Sequence, residues 1–296
     1  MTSLGRIVAA TVSVAELEPV VAAYRQYLGY RPVAEGTVAT ALAESWAAPA
    51  AADARYALLA PEAADDFLLR LVAGPQAPGF IPLRVSGWAG LVLSASDLAT
   101  LAQRLQGSPF TIIDKLREAP VVGGNHRAFQ VQGPANEILT FVEATAEGSG
   151  VPKARGPVDG AFAAILACAE LDRGFEFYHY KFMAEPAKER LVALWAVNDA
   201  FGVDRPSKHR TTLVPLAGSS LIELQQYPDG ATRRPLVPRH LPPGIALLTI
   251  ESATSLDDVS VYSLTGPQAY DELPYRQRRQ MTFYGAANEM IELIEA

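Results

Sequence analysis

The chain has 296 residues, 49% of them hydrophobic and 19% charged, with a formal net charge of −7 and one cysteine. That length supports two domains with cores of their own, and the composition excludes a disordered chain. The acidic balance argues against nucleic acid, Cys168 alone cannot form a disulfide framework, and no apolar run reaches the roughly 20 residues of a membrane helix.

Arg6–Val14 is a β-rich run. Glu16–Leu28 follows as a helix, with Leu17, Val20, Val21, Tyr24 and Leu28 on one face and Gly29 as its stop. Strands are predicted near Thr37–Ala43, Ala54–Leu59 and Asp66–Val72. The same order restarts with a strand at Gly87–Ser94, a helix at Asp97–Leu105, and strands at Phe110–Lys115, Arg127–Gln132 and Glu137–Glu143. Glu147–Pro157 is rich in Gly, Pro and charge and reads as a linker, dividing the chain into domains 1–146 and 158–296. The second half has a strand at Phe162–Cys168, a helix at Leu171–Phe182, and strands at Thr211–Pro215 and Ser220–Gln226. A last unit runs from Gly244 to the end, with a weakly signalled helix near Thr254–Val259. Four strand–helix–three-strand units result, an α+β chain of four βαβββ modules.

The halves echo each other. Gly133–Ala144 reads GPANEILTFVEA and Gly285–Ala296 reads GAANEMIELIEA, identical at six of twelve positions. Val14-Ala15-Glu16-Leu17, followed by Tyr24, is answered 154 residues later by Cys168-Ala169-Glu170-Leu171, followed by Tyr178. Matching starts and ends mark a duplicated domain.

With the segments VSVAELEPVVAAYRQYLGY and ANEMIELIE, this pattern resembles the vicinal oxygen chelate superfamily of glyoxalases, bleomycin-resistance proteins, epimerases and extradiol dioxygenases. The resemblance covers almost the whole chain. It implies two tandem cupped sheets, each built from two modules around a small-molecule cavity. Four modules at this length look most like the extradiol dioxygenases. A homodimer, common in that family, stays open.

In metal-dependent members, four inward positions per cup carry His, Gln or Glu. By strand alternation these positions fall at about Ala9, Arg70, Gly90 and Thr140 in the first domain. In the second they fall at about Ala163, Glu223, Gly244 or Ile245, and Glu292. The two-His-one-carboxylate pattern is missing, so no metal ligands are assigned and no cofactor is expected, although a divalent metal is not excluded. The first cup reads as scaffold.

Glu223 and Glu292, read as facing one cavity, are candidate catalytic acid and base, with His209 and Arg210 beside a strand start and Tyr284 as candidate stabilisers. Trp46 and Trp195 lie in cavity-covering segments and are candidate stacking partners for a flat ligand. Each has a plainer reading. The glutamates can face solvent or pair with Arg278 or Arg279, the tryptophans can pack the lid, and His126-Arg127 and Arg278-Arg279 can be strand ends. Tyr178 and Cys168 read as core. The expectation is a metal-independent isomerase or lyase acting on a small aromatic or carbonyl compound. The alternatives are a non-catalytic antibiotic- or aromatic-binding protein, and a dioxygenase with an atypical metal site. No signal peptide is visible, and abundant alanine with scarce lysine points to a bacterial, cytoplasmic protein without nucleic-acid or membrane partners.

Overall fold

The structure is a computed structural model that describes residues 2–144, 150–185, 187–259 and 263–296. Residues 147–149 of the expected linker lie outside the described residues, and 150–157 carry no regular element.

The first module comprises β1 (Leu4–Val14), α1 (Leu17–Ala23), β2 (Tyr30–Thr37), α2 (Thr40–Ser45), β3 (Arg55–Pro61) and β4 (Leu68–Ala73). One π-helical turn, Tyr24–Leu28, extends α1 and ends at Gly29, whose φ of 71° is the left-handed cap that glycine adopts without strain. The strand expected at Thr37–Ala43 is not formed. The real strand lies earlier, and Thr40–Ser45 turns helical to bury Leu42 and Ala43.

The second module comprises β5 (Gly87–Ala95), α3 (Leu98–Arg104), β6 (Thr111–Val121), β7 (Gly124–Gln132) and β8 (Ile138–Val142). The third comprises β9 (Val158–Cys168), α4 (Leu171–Phe182), β10 (Arg190–Ala193), α5 (Trp195–Phe201), β11 (Lys208–Pro215) and β12 (Leu221–Gln226). The last comprises β13 (Gly244–Ser252), α6 (Leu256–Val259), β14 (Gln268–Ala269), β15 (Arg279–Tyr284) and β16 (Met290–Glu295).

Two eight-stranded sheets result, and their composition corrects the expected pairing of modules. One has the order β14-β15-β16-β13-β1-β4-β3-β2, joining the outer modules, first and fourth. The other has the order β10-β11-β12-β9-β5-β8-β7-β6, joining the inner modules, second and third. Each sheet closes at its centre through antiparallel first strands, β1 on β13 and β5 on β9. Residues 1–146 and 158–296 therefore do not each form a cup. Within each half the two modules lie in different sheets, and one continuous core spans both, including Val20, Tyr24, Phe129, Phe141, Tyr178 and Phe283.

The repeated motif explains why. In the turn Gly133–Glu137, the Gly133 N–H donates to the Glu137 carbonyl at 2.7 Å and Asn136 sits at φ 64°. The Glu137 carboxylate folds back, accepting from the Ala135 N–H at 2.8 Å and from the Tyr24 hydroxyl at 2.6 Å. A Cβ on Gly133 would overlap that carboxylate, so only glycine fits. The other half repeats this atom for atom: Gly285 N–H to the Glu289 carbonyl at 2.8 Å, Asn288 at φ 62°, Ala287 N–H to Glu289 at 2.8 Å, and Tyr178 to Glu289 at 2.9 Å. Each lock ties a helix of one sheet to a turn of the other. The echo in the sequence is thus the fastening between sheets, and Tyr178 is core as read.

Candidate functional site

The concave face of the inner sheet holds a cavity of about 50 Å³ that opens to solvent. Strand alternation builds it. Glu223, Gln225 and Tyr227 stand at every second residue along β12 and its continuation, so all three face the same way. Gln130 on β7 and Thr140 on β8 add polar groups from the other module, the Gln130 amide donating to the Thr140 hydroxyl at 2.9 Å. Ala89, Ala128, Ile138 and Ile165 supply apolar walls, and Leu194–Val197 at the start of α5 cover one side.

Glu223 is 4% exposed. The backbone N–H of Val122, in the turn joining β6 and β7, donates to its Oε2 at 2.9 Å, and the Gln225 amide donates to Oε1 at 3.0 Å. Burial pushes the carboxyl above its ordinary range, opposed by those two hydrogen bonds and by the charge of Arg190. Tyr227 also lines the cavity, and its hydroxyl is buried without a hydrogen-bond partner.

At the mouth, the Arg117 guanidinium lies 3.6 Å from the centroid of the Trp195 ring and pairs with Asp114 at 2.6 Å. Arg205 stands 5.4 Å from the same ring and pairs with Asp199. Trp195 therefore lines the cavity as expected, but a guanidinium already occupies its ring. Its contact fastens α5 to β6.

The outer sheet's cup is filled. Glu292 is fully buried and accepts four approaches: Trp46 Nε1 and Tyr275 Oη to Oε1, both at 2.8 Å, Thr249 Oγ1 to Oε2 at 2.6 Å, and Arg70 Nη2 at 3.8 Å. Arg70 is clasped by the rings of Trp46 and Tyr275, at 4.9 and 5.2 Å. Leu42, Ala43, Leu247, Tyr270 and Met290 close the remaining space.

Several expectations are corrected by this arrangement. Glu223 and Glu292 lie in different sheets, so the acid–base pair across one cavity is not formed; Arg70, assigned to the other cup, is the neighbour of Glu292. Trp46 is fully buried against Glu292, where no ligand face is free. The fourth-module residue beside Glu292 is Thr249, whereas Ile245 belongs to the core between the sheets. His209 is half-buried on β11, with its Nε2 2.6 Å from Asn198 Oδ1. Because the Asn198 amide nitrogen donates to the carbonyls of Asp204, Arg205 and Ser207, the His209 nitrogen is the donor, and the pair holds the loop after α5. Arg210 pairs with Asp172 and Glu189 away from the cavity, and Tyr284 ends β15 of the other sheet, 40% exposed. Arg127 pairs with Glu143, while His126 is buried, and burial lowers its pKa against the opposing charge of Glu118. Cys168 is a buried free thiol whose pKa is pushed up by burial. Gln225, Gln130 and Tyr227 were not anticipated, although the alternation in Glu223-Leu224-Gln225-Gln226-Tyr227 carried the signal.

No family model matches the sequence, and no curated protein matches it significantly. Solved structures do match. Glyoxalase I from Zea mays superposes with a TM-score of 0.63 at 16% identity, covering 98% of this chain and 92% of that one. A putative dioxygenase from Bacillus subtilis superposes with a TM-score of 0.62 at 14% identity, covering 100% and 86%. The chain has the vicinal oxygen chelate fold. Its sheets use that fold without its usual metal donors. In the inner cup the first strands place Val92 beside Thr140 and Ile165 beside Glu223, which leaves one carboxylate and no histidine at these positions. In the outer cup the Arg70 cation stands against Glu292. Among the described residues no group of three or more His, Cys, Asp or Glu comes together. These residues do not fit a resident metal of the kind that fold implies.

Proposed function

We propose that this protein binds a small aromatic or carbonyl compound in the inner cup, as a small-molecule-binding protein of vicinal oxygen chelate type. The observation that carries this reading is the cavity itself: apolar walls, a few convergent polar groups and one buried carboxylate, the usual make-up of a small-ligand site. Glu223 would accept a hydrogen bond from the ligand, and the amides of Gln225 and Gln130 would orient it. The outer cup serves as scaffold, since Trp46, Tyr275 and Thr249 converge on Glu292 and apolar side chains fill the space around it. Titration of a panel of aromatic and carbonyl compounds, followed by calorimetry, tests the reading. Binding by the wild-type protein that weakens in Glu223→Ala supports it; binding unchanged in that variant refutes it.

A second reading, an isomerase or lyase, is favoured by one observation. Burial raises the proton affinity of Glu223 toward the range useful to a general base. Glu223 alone would then remove a proton beside a carbonyl, and the Gln130 amide would hydrogen-bond the developing oxyanion. Deuterium exchange from solvent into a bound carbonyl compound would report it. A rate in Glu223→Gln within about tenfold of wild type would rule it out, because a general base contributes about 10²–10⁴-fold. The single buried cysteine fits the bacterial cytoplasm as the compartment.

No helix among the described residues is long and apolar enough to cross a membrane.

A further inference from the structure

The inner cup is smaller than the ligand class proposed for it. Its cavity measures about 50 Å³, whereas a cavity that admits benzene measures about 150 Å³ and small-ligand sites commonly reach about 300 Å³ or more. A wall must move, and the sheet has one suited to it. β9 and β12 are hydrogen-bonded on both sides, but β6 is an edge strand, bonded to β7 alone among the described residues. The β6–β7 ladder is also interrupted twice, between Ile112 and Asp114 and between Asp114 and Arg117. At its far end Val121 pairs with Gly124, and Val122 and Gly123 between them form the hairpin tip. The tip reaches across the mouth to the other module. A methyl built on Gly123 would lie 2.7 Å from Leu213 Cδ1 and 3.7 Å from Arg190 Nη1. The Val122 N–H donates to Glu223 Oε2 at 2.9 Å.

We propose that the β6–β7 hairpin is the gate of the inner cup, latched by Glu223, and that a ligand donor opens it by taking the place of the Val122 N–H on Oε2. This rests on the reading of the inner cup as the binding site. Three features mark the tip as a gate. Val122 sits at φ 44° and Gly123 at φ 82°. Glycine accepts such angles, but a β-branched residue is held there only by its surroundings. Here these are the bond to Glu223 and the burial of the Val122 side chain in a cluster with Phe162 and Ala163. The second cover of the cavity is tied to the same hairpin. Arg117 on β6 lies 3.6 Å from the centroid of the Trp195 ring, and its partner Asp114 is on β6 as well. A swing of β6 therefore releases the start of α5. Finally, the exchange at the latch conserves hydrogen bonds. Water takes the freed Val122 N–H, a ligand O–H or N–H takes Oε2, and the Gln225 amide stays on Oε1 at 3.0 Å. A compound without a donor leaves Oε2 short of a partner once the tip lifts, so it binds more weakly.

Residue-by-residue amide hydrogen exchange, with calorimetry on phenol, which carries a donor, and anisole, which does not, tests the gate. In the free protein the Val122 amide, although buried and hydrogen-bonded, should exchange at least about tenfold faster than amides in the middle of β9 and β12. Glu223→Ala removes the latch and should speed Val122 exchange further. Phenol should bind about fivefold more tightly than anisole. Saturating phenol should speed exchange at Val122, the reverse of ordinary protection by a ligand. A Gly123→Cys/Leu213→Cys pair, once oxidised, ties the tip to β11; it should slow Val122 exchange and abolish phenol binding, which reduction restores. Cysteine is strained at the φ of Gly123, so if that pair does not fold, the wild-type and Glu223→Ala exchange rates decide. Val122 exchange no faster than that of β12, phenol binding that leaves Val122 as protected as before, or an oxidised pair that binds phenol as the reduced one does overturns the gate while the inner cup stands as the site. If neither probe binds and no other aromatic or carbonyl compound does either, the binding reading fails and the ligand gate with it.

Discussion

Glu137 offers a direct test of how the two sheets are fastened. It is 1% exposed, and burial pushes its carboxyl from 4.5 up to about 7 against the hydrogen bonds from Tyr24 and Ala135. A carboxyl whose folded pKa is raised binds its proton more tightly in the native state. Stability is then fully present below about pH 4.5 and is lost as pH rises toward 7, with no further loss above. Each pKa unit corresponds to about 1.4 kcal/mol, so this one group removes about 3 kcal/mol across that window. Glutamine mimics the protonated form. Its amide oxygen can accept from the Ala135 N–H while its nitrogen donates to Tyr24, and it never ionises. Glu137→Gln should therefore gain about 3 kcal/mol relative to wild type between pH 5 and pH 8, read by urea unfolding at both. An unchanged difference between variant and wild type at the two pH values would refute the argument. It would mean that the native carboxyl carries no extra proton.

The equivalent Glu289 is also pushed to about 7, so Glu289→Gln should show the same pH-dependent gain, and the double variant should roughly sum the two. Gly133→Ala and Gly285→Ala should each lower the melting temperature sharply, since the added methyl displaces the locking carboxylate; unchanged melting would disprove the close approach. Arg70→Ala leaves Glu292 buried without its cation and should cost about 3–5 kcal/mol in chemical unfolding. The same change should leave ligand binding in the inner cup intact, and a large loss of binding would overturn the scaffold role of the outer cup. Arg117→Ala removes the guanidinium from Trp195 and should shift the tryptophan fluorescence at a cost of about 1 kcal/mol; an unaltered spectrum would count against the fastening of α5.

Which features were legible beforehand follows a physical division. Four strand–helix–strand units could be read because hydrophobic periods of 2 and 3.6 are local properties of the chain. The same alternation placed Glu223 and Thr140 inward, and the position of Trp195 ahead of a strand put it at a cavity mouth. The echoed Gly-x-Ala-Asn-Glu turns were visible, but their role was not, because the partner tyrosine lies 113 residues from Glu137 and 111 from Glu289. Nor could local pattern say which first strand meets which. β1, β5, β9 and β13 are all nearly continuous apolar runs, so each is an acceptable partner for the others. Tertiary packing made that choice. The Tyr–Glu locks hold the modules of each half in opposite sheets, which leaves β1 to meet β13 and β5 to meet β9. That single decision separated Glu223 from Glu292, gave Glu292 to Arg70 and left one cavity open. The sequence by itself determined the modules and the direction of each side chain; only the tertiary structure decided which side chains share a cup, because strand partnership is set by contacts between distant segments.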